Sequence, residues 1–192
     1  MQVTRLWQVC LLICVTTFMV SGCVNHNTDP QQPQQDDEYP YSQHYDESKY
    51  VNRMPQTMNT NHQKLILVDP KLYAWGAYNA NGELVRGGIA TAGADYCPDD
   101  DAECRTTPGS YKIYAMRGEE CASHIYPRGK GGALMPYCMF FNGGQSLHGS
   151  PDHMLVEQNI SHGCVHLRIP DAQWLQQDFA KIGTRVVVLP YE

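Results

Sequence analysis

The sequence predicts a mostly β domain with one helix near its C-terminus, and three observations predict it. From residue 63 onward, short β-branched or alternating runs recur at intervals of about ten residues, separated by Pro, Gly and Asn turns. Only one stretch, Pro170 to Ile182, carries apolar residues at helical spacing. Before residue 63 the chain reads as an apolar leader followed by a polar spacer, so residues 63–192 carry the core.

Taken in order, residues 1–23 read as an address. Arg5 supplies a positive start, and Val9 to Val20 is an apolar run of twelve residues, too short to span a bilayer comfortably but typical of a signal-peptide core. Val20-Ser21-Gly22-Cys23 resembles the bacterial lipobox, in which small residues precede a cysteine that is lipidated and becomes the mature N-terminus. An ordinary secretory leader with a chance cysteine is the alternative. Lipid on Cys23 implies a membrane anchor, and Val24 after it favours the periplasmic face of the outer membrane where the source has two membranes.

Residues 24–62 hold two basic and six acidic side chains and almost no aliphatic ones. Such a segment cannot bury enough apolar surface to offset its ordering entropy, so it is expected to be a disordered tether. Its typical span is roughly 35 Å and its full extension about 130 Å. Tyr39, Tyr41, Tyr45 and Tyr50 read as spacer positions rather than a partner site. Residues 63–192 carry eleven basic and fourteen acidic side chains with no basic patch, which argues against nucleic acid as a partner.

The domain opens with the apolar run Lys64 to Asp69, stopped by Pro70, and a second strand signal from Lys71 to Ala77. A turn at Asn79 to Gly82 leads into Glu83 to Ala90. Thr106-Thr107-Pro108-Gly109 turns the chain into one alternating strand, Ser110 to Met116. Pro170 in a first-turn position, Asp171 close behind, and Ala172, Trp174, Leu175, Phe179 and Ile182 at helical spacing predict the helix, closed by Gly183. Thr184 to Leu189 reads as a last buried strand.

Cysteine arithmetic points to one special sulfur. Of eight cysteines, Cys10 and Cys14 leave with the leader and Cys23 takes lipid, so Cys97, Cys104, Cys121, Cys138 and Cys164 remain. In an exported chain an odd count leaves one thiol over. Four cysteines allow three pairings, and the preferred one closes two local loops, Cys97–Cys104 around the acidic run CPDDDAEC and Cys121–Cys138. The acidic run lacks the spaced ligands of calcium loops.

The remaining Cys164 lies in the segment Leu147 to Arg168, which gathers His148-Gly149, Ser161-His162-Gly163-Cys164, His166 and Arg168 in twenty-two residues. A thiol becomes an effective nucleophile once an imidazole takes its proton, and His148 and His162 are the candidates. The glycine before the cysteine lets backbone N–H groups face a developing oxyanion. This is a thiol acyl-transferase in outline. A zinc site built from His148, His162, Cys164 and His166 is the competitor, but side chains two apart on one strand lie nearly parallel and about 7 Å apart, awkward for tetrahedral ligation. The run Arg128 to Gly132 lacks the spacing of a phosphate loop and is read as a loop flanking the site.

SHGCVHL with an upstream His-Gly, a preceding Thr-Pro-Gly turn, the opening LILVD strand and the closing helix and strand resembles the catalytic domain of the L,D-transpeptidase (YkuD-like) family of bacterial cell-wall enzymes, over roughly residues 63–190. The resemblance implies a β-sandwich, no metal or other cofactor, peptidoglycan stem peptides as substrate, and acylation by carbapenem-type inhibitors. Carried over, Cys164 is the nucleophile and His148 the base, with the Gly149 carbonyl holding the imidazole tautomer. Backbone N–H groups of His162, Gly163 and Cys164 form the oxyanion hole, and Ser161 braces the loop. The family often has Arg or Asn where this chain has His166, so His166 and Arg168, on the face of Cys164 in an extended strand, are the candidates for substrate contact. The expected function is a lipid-anchored L,D-transpeptidase that passes the acyl group to an amine. The alternatives are an L,D-carboxypeptidase using water and a catalytically silent peptidoglycan-binding lipoprotein.

Overall fold

The computed structural model describes residues 45–192. The expected leader with its lipidation position Cys23, and the expected tether as far as residue 44, lie outside the described residues. The rest forms two sheets, as the mostly β reading requires. Strands β1 (Leu65–Asp69), β2 (Ala74–Tyr78), β3 (Leu84–Ile89), β4 (Gly109–Lys112) and β9 (Arg185–Val188) make a five-stranded sheet in the order β3-β2-β1-β9-β4. Strands β5 (Ala115–Met116), β6 (Met139–Asn142), β7 (Gln145–Ser150) and β8 (Val165–Arg168) make a four-stranded sheet in that order.

The first sheet explains why LILVD is a continuous apolar run. Ile66 and Val68 face inward, joining Trp75, Val186 and Val188 of their own sheet and Met139, Leu147, Val165 and Leu167 of the other in one core. Leu65 and Leu67 face the opposite way, with Ala74, Tyr78 and Ile89, and are covered by Tyr50 and Met54. A strand buried on both faces loses the polar alternation of a half-solvated one.

That cover corrects the tether expected over residues 24–62. From residue 45 the chain is built into the domain. Helix α1 (Glu47–Val51) is capped by the Asp46 side chain accepting the Ser48 N–H at 3.0 Å. Beyond it, Leu84 N–H donates to the Gln56 carbonyl and Met58 N–H to the Gly82 carbonyl, so this segment runs along β3. Composition misled because two large side chains, Tyr50 and Met54, supply most of the anchorage where aliphatic residues are scarce.

Two other elements differ from expectation. The single strand Ser110 to Met116 is two: Ile113 N–H donates to Thr184 O in the first sheet, and the next residue, Tyr114, donates to Phe140 O in the second, both at 2.9 Å. Helix α2 (Ile169–Trp174) starts with Pro170 in its first turn, widens into a π turn over Leu175–Phe179 and stops there, leaving Ile182 exposed outside it.

A chain beginning at residue 63 exposes the outer face that Tyr50 and Met54 cover. Compared with one beginning at residue 45, it is expected to lose about 3 kcal/mol or more, read as a Tm lower by roughly 10 °C in thermal unfolding. Equal Tm values would show that residues 45–62 contribute no packing.

Candidate active site

Strands β7 and β8 run parallel with Leu147 opposite Val165, His148 opposite His166 and Gly149 opposite Leu167. Side chains alternate along each strand, so Leu147, Val165 and Leu167, all 0 % exposed, enter the core. Ser146, His148 and Ser150 therefore share the other face with Cys164 and His166. That face floors a cleft of about 990 Å³, which both Cys164 and His148 line. Gly149 sits in a tight place: a Cβ would stand 3.0 Å from the Ile169 backbone where α2 begins, and that backbone would have to give by a few tenths of an ångström.

The turn before β8 is held from two sides. Gly163 takes φ +108°, a conformation that favours glycine. The Ser161 hydroxyl donates to the Cys164 carbonyl and accepts the Gly163 N–H at 3.2 Å. From the Thr-Pro-Gly turn, the Thr106 hydroxyl donates to the Gly163 carbonyl at 2.9 Å and accepts Gly93 N–H at 3.0 Å. Ser161 thus braces the loop. Its bond also occupies the Gly163 N–H, one of the three backbone groups expected to face an oxyanion.

The disulfides join Cys97 to Cys104 and Cys121 to Cys138, and Cys164 is the free cysteine of the described residues. Its sulfur lies 3.6 Å from the Ser146 hydroxyl and 3.8 Å from the Gly144 carbonyl. Part of Cys164 stays open to the cleft, yet burial raises its thiol above the ordinary value, against the lowering pull of the Ser146 hydroxyl and N–H. Sequence reasoning missed Ser146, although strand alternation places it two residues before His148 on the same face.

His148 is 4 % exposed and its Nδ1 lies 2.8 Å from the Gly149 carbonyl. A carbonyl only accepts, so Nδ1 carries the proton and Nε2 keeps its lone pair. Burial lowers this imidazole to about 4, opposed by the Gly149 bond. His166 is pulled down further, to about 3, by burial first and then by His148 and His162, with the Met154 carbonyl opposing. The two rings sit 4.9 Å apart, and His166 Nδ1 is buried without a partner. Above their lowered values both histidines are neutral, and below the raised value of the thiol so is Cys164.

His162 is no part of this pair. Its Nε2 lies 2.9 Å from both carboxylate oxygens of Asp99, and its ring packs 4.4 Å from that of Tyr126. Asp100 next door binds Tyr126 and Arg128. The acidic run is therefore a clasp between the cysteine loop and the loop closed by Cys121–Cys138, and Arg128 is spent in it rather than offered to substrate. Among the described residues, the trio placed for an ion is Cys97, Asp99 and His162, whose Cys97 sulfur is taken by its disulfide. Arg168 also departs from expectation. Its guanidinium stacks 4.0 Å from the Tyr45 ring centroid, and it is not among the residues lining the cleft.

Comparison with known proteins identifies the family and the fold. A family model described as the L,D-transpeptidase catalytic domain (YkuD) matches residues 63–188. The chain is 29 % identical over 83 residues to a probable L,D-transpeptidase, ErfK/SrfK, of Escherichia coli (strain K12), covering 43 % of this chain and 26 % of that protein. The fold resembles that of an L,D-transpeptidase from Xylanimonas cellulosilytica (TM-score 0.58, 23 % identity), over 72 % of this chain and 66 % of the other. It also resembles L,D-transpeptidase 3 of Mycobacterium tuberculosis in complex with a faropenem-derived adduct (TM-score 0.53, 19 % identity), over 66 % and 60 % of the two chains. The chain spans about a quarter of the curated relative and under two thirds of the latter structure.

A neutral thiol beside a neutral imidazole predicts the pH dependence of alkylation. Iodoacetamide modification of Cys164 is expected to be slow at neutral pH and to climb continuously beyond the ordinary thiol value, because the folded site disfavours thiolate. A plateau between pH 5 and 8 in the measured rate would mean a preformed thiolate–imidazolium pair and overturn this description.

Proposed function

Since the chain belongs to the L,D-transpeptidase catalytic-domain (YkuD) family, we propose that it is a cysteine acyl-transferase acting on peptidoglycan stem peptides. The single observation that carries this reading is the fixed tautomer of His148, which leaves a lone pair on Nε2 in a residue that lines the same cleft as the free Cys164.

In this reading Cys164 Sγ attacks the carbonyl before the terminal residue of the donor peptide while its proton passes to His148 Nε2. The forming thiolate is met by the Ser146 hydroxyl. The oxyanion is met by the N–H groups of Cys164 and His162. Collapse expels the terminal residue as an amine, which takes the proton from His148 and leaves a thioester on Cys164. An acceptor amine then attacks the thioester, gives its proton to His148, and releases the cross-linked product with the thiol restored. A site neutral at rest suits this order, because charge develops only as the carbonyl is attacked.

The proposal includes an N-terminal lipid on Cys23 that tethers the domain to a membrane surface in the cell envelope, within reach of the wall. Intact mass of the N-terminal peptide from the native source tests it: a lipid-bearing Cys23 supports the anchor, and a free N-terminus at another residue removes it.

Incubation with a carbapenem followed by intact mass is expected to show one adduct on the wild type and none on Cys164→Ala, and an adduct surviving that substitution sinks the mechanism. With a disaccharide-tetrapeptide, cross-linked dimer identifies an amine acceptor, and trimmed monomer identifies water. Ser146→Ala removes one hydrogen bond to a developing charge, so the acylation rate is expected to fall about tenfold or more with Tm nearly unchanged. Wild-type kinetics in that variant would remove Ser146 from the mechanism.

A further inference from the structure

The cleft has a nearly uncharged lining. Ile125, Tyr126, Leu134, Met154 and Ile160 contribute apolar walls, and of the Lys, Arg, Asp and Glu residues described only Arg117 lines it. Other cations close to the site are engaged elsewhere: Arg168 under Tyr45, Arg128 on Asp100, and Arg105 on Asp95. Arg117 makes no ion pair, side-chain hydrogen bond or ring contact among the described residues. Its backbone, in contrast, is fixed at both polar groups. The N–H donates to Cys138 O at 3.0 Å, beside the Cys121–Cys138 bond, and the carbonyl accepts Gln176 Nε2 at 2.8 Å.

Strand registers relate this cation to the nucleophile. Cys164 lies beside Ser146, Ser146 pairs with Phe140, and Phe140 pairs with Ala115, forming one row across the second sheet. Paired residues share a face, and Arg117 stands two positions beyond Ala115, so it falls on the cleft side with Cys164. Three strand spacings of about 4.8 Å separate their strands by roughly 14 Å, the length of about four extended residues. The long arginine side chain shortens that gap.

We propose that Arg117 anchors a carboxylate of the donor peptide, setting how far the scissile carbonyl lies from the peptide's acidic group. The inference rests on the peptide-acylation reading above and names its substrate class as an acidic peptide. Arginine's planar fork matches a carboxylate with two parallel hydrogen bonds, and Arg117 is exposed where the cleft opens, free to meet one. His166, two places after the cysteine, is buried, and Arg168 is covered by Tyr45, so neither offers a free cation to the cleft.

The test uses donor tetrapeptides with every carboxylate free, or with each amidated in turn, on wild type, Arg117→Ala and Arg117→Lys. Release of the terminal amino acid gives kcat and KM. Amidating one particular carboxylate is expected to lower wild-type kcat/KM about 10- to 100-fold, mainly through KM. Arg117→Ala should show that same loss on the free peptide and no further loss on the amide, with Arg117→Lys between. Iodoacetamide should modify Cys164 at the wild-type rate in both variants. An acid-to-amide ratio that is the same in Arg117→Ala and wild type overturns the subsite. Binding of the peptides to Cys164→Ala protein, alone and with Arg117→Ala, separates the two readings. Arg117-dependent preference for the acid without turnover in the wild type keeps the subsite and ends the transferase reading, and binding indifferent to Arg117 ends the subsite.

Discussion

The parallel pairing of β7 with β8 is the constraint on which the site depends. It brings Ser146 beside Cys164 and sets His148 opposite His166, although fifteen residues separate His148 from Cys164. A slip of one residue by β8 would turn Val165 and Leu167 out of the core, and Cys164 and His166 off the cleft face. Leu147, Val165 and Leu167 are fully buried, so the hydrophobic core fixes this register. Gly149 adds a second constraint, because the start of α2 packs tightly against it.

Burial that fixes the register also sets the charge state. His148 and His166 are pushed down and Cys164 up by the same loss of solvent, which makes two neutral partners the stable pair. Ser146 offsets part of that cost at the sulfur. Around the rim the acidic run takes the opposite role. Asp99 and Asp100 meet His162, Tyr126 and Arg128 at the surface, so charge there joins two cystine-closed loops and leaves the cleft walls apolar.

Much of this was legible in the residues. The LILVD run, the Thr-Pro-Gly turn and Pro170 mark elements that the structure contains, and the mostly β class with its late helix follows from them. The Cys/His pattern led to the cleft, and the structure sets Cys164 and His148 in it. What escaped was decided by tertiary contacts. The chain switches sheets between Ile113 and Tyr114 because carbonyls of Thr184 and Phe140, both distant in sequence, await the two N–H groups. Residues 45–62 fold onto the domain because Tyr50 and Met54 find an apolar face that a composition count does not see. Arg168 sits on the strand that follows Cys164, and only the position of Tyr45 shows that it is capped.

Cys164 stays reduced in a molecule whose four other described cysteines are oxidised, and its smothered acidity has a protective side. Disulfide exchange and oxidation to sulfenic acid both start from thiolate. A sulfur kept protonated by burial is a slow partner for a stray cystine or a peroxide. In the folded domain, the burial that keeps this thiol protonated therefore also slows its exchange with a cystine.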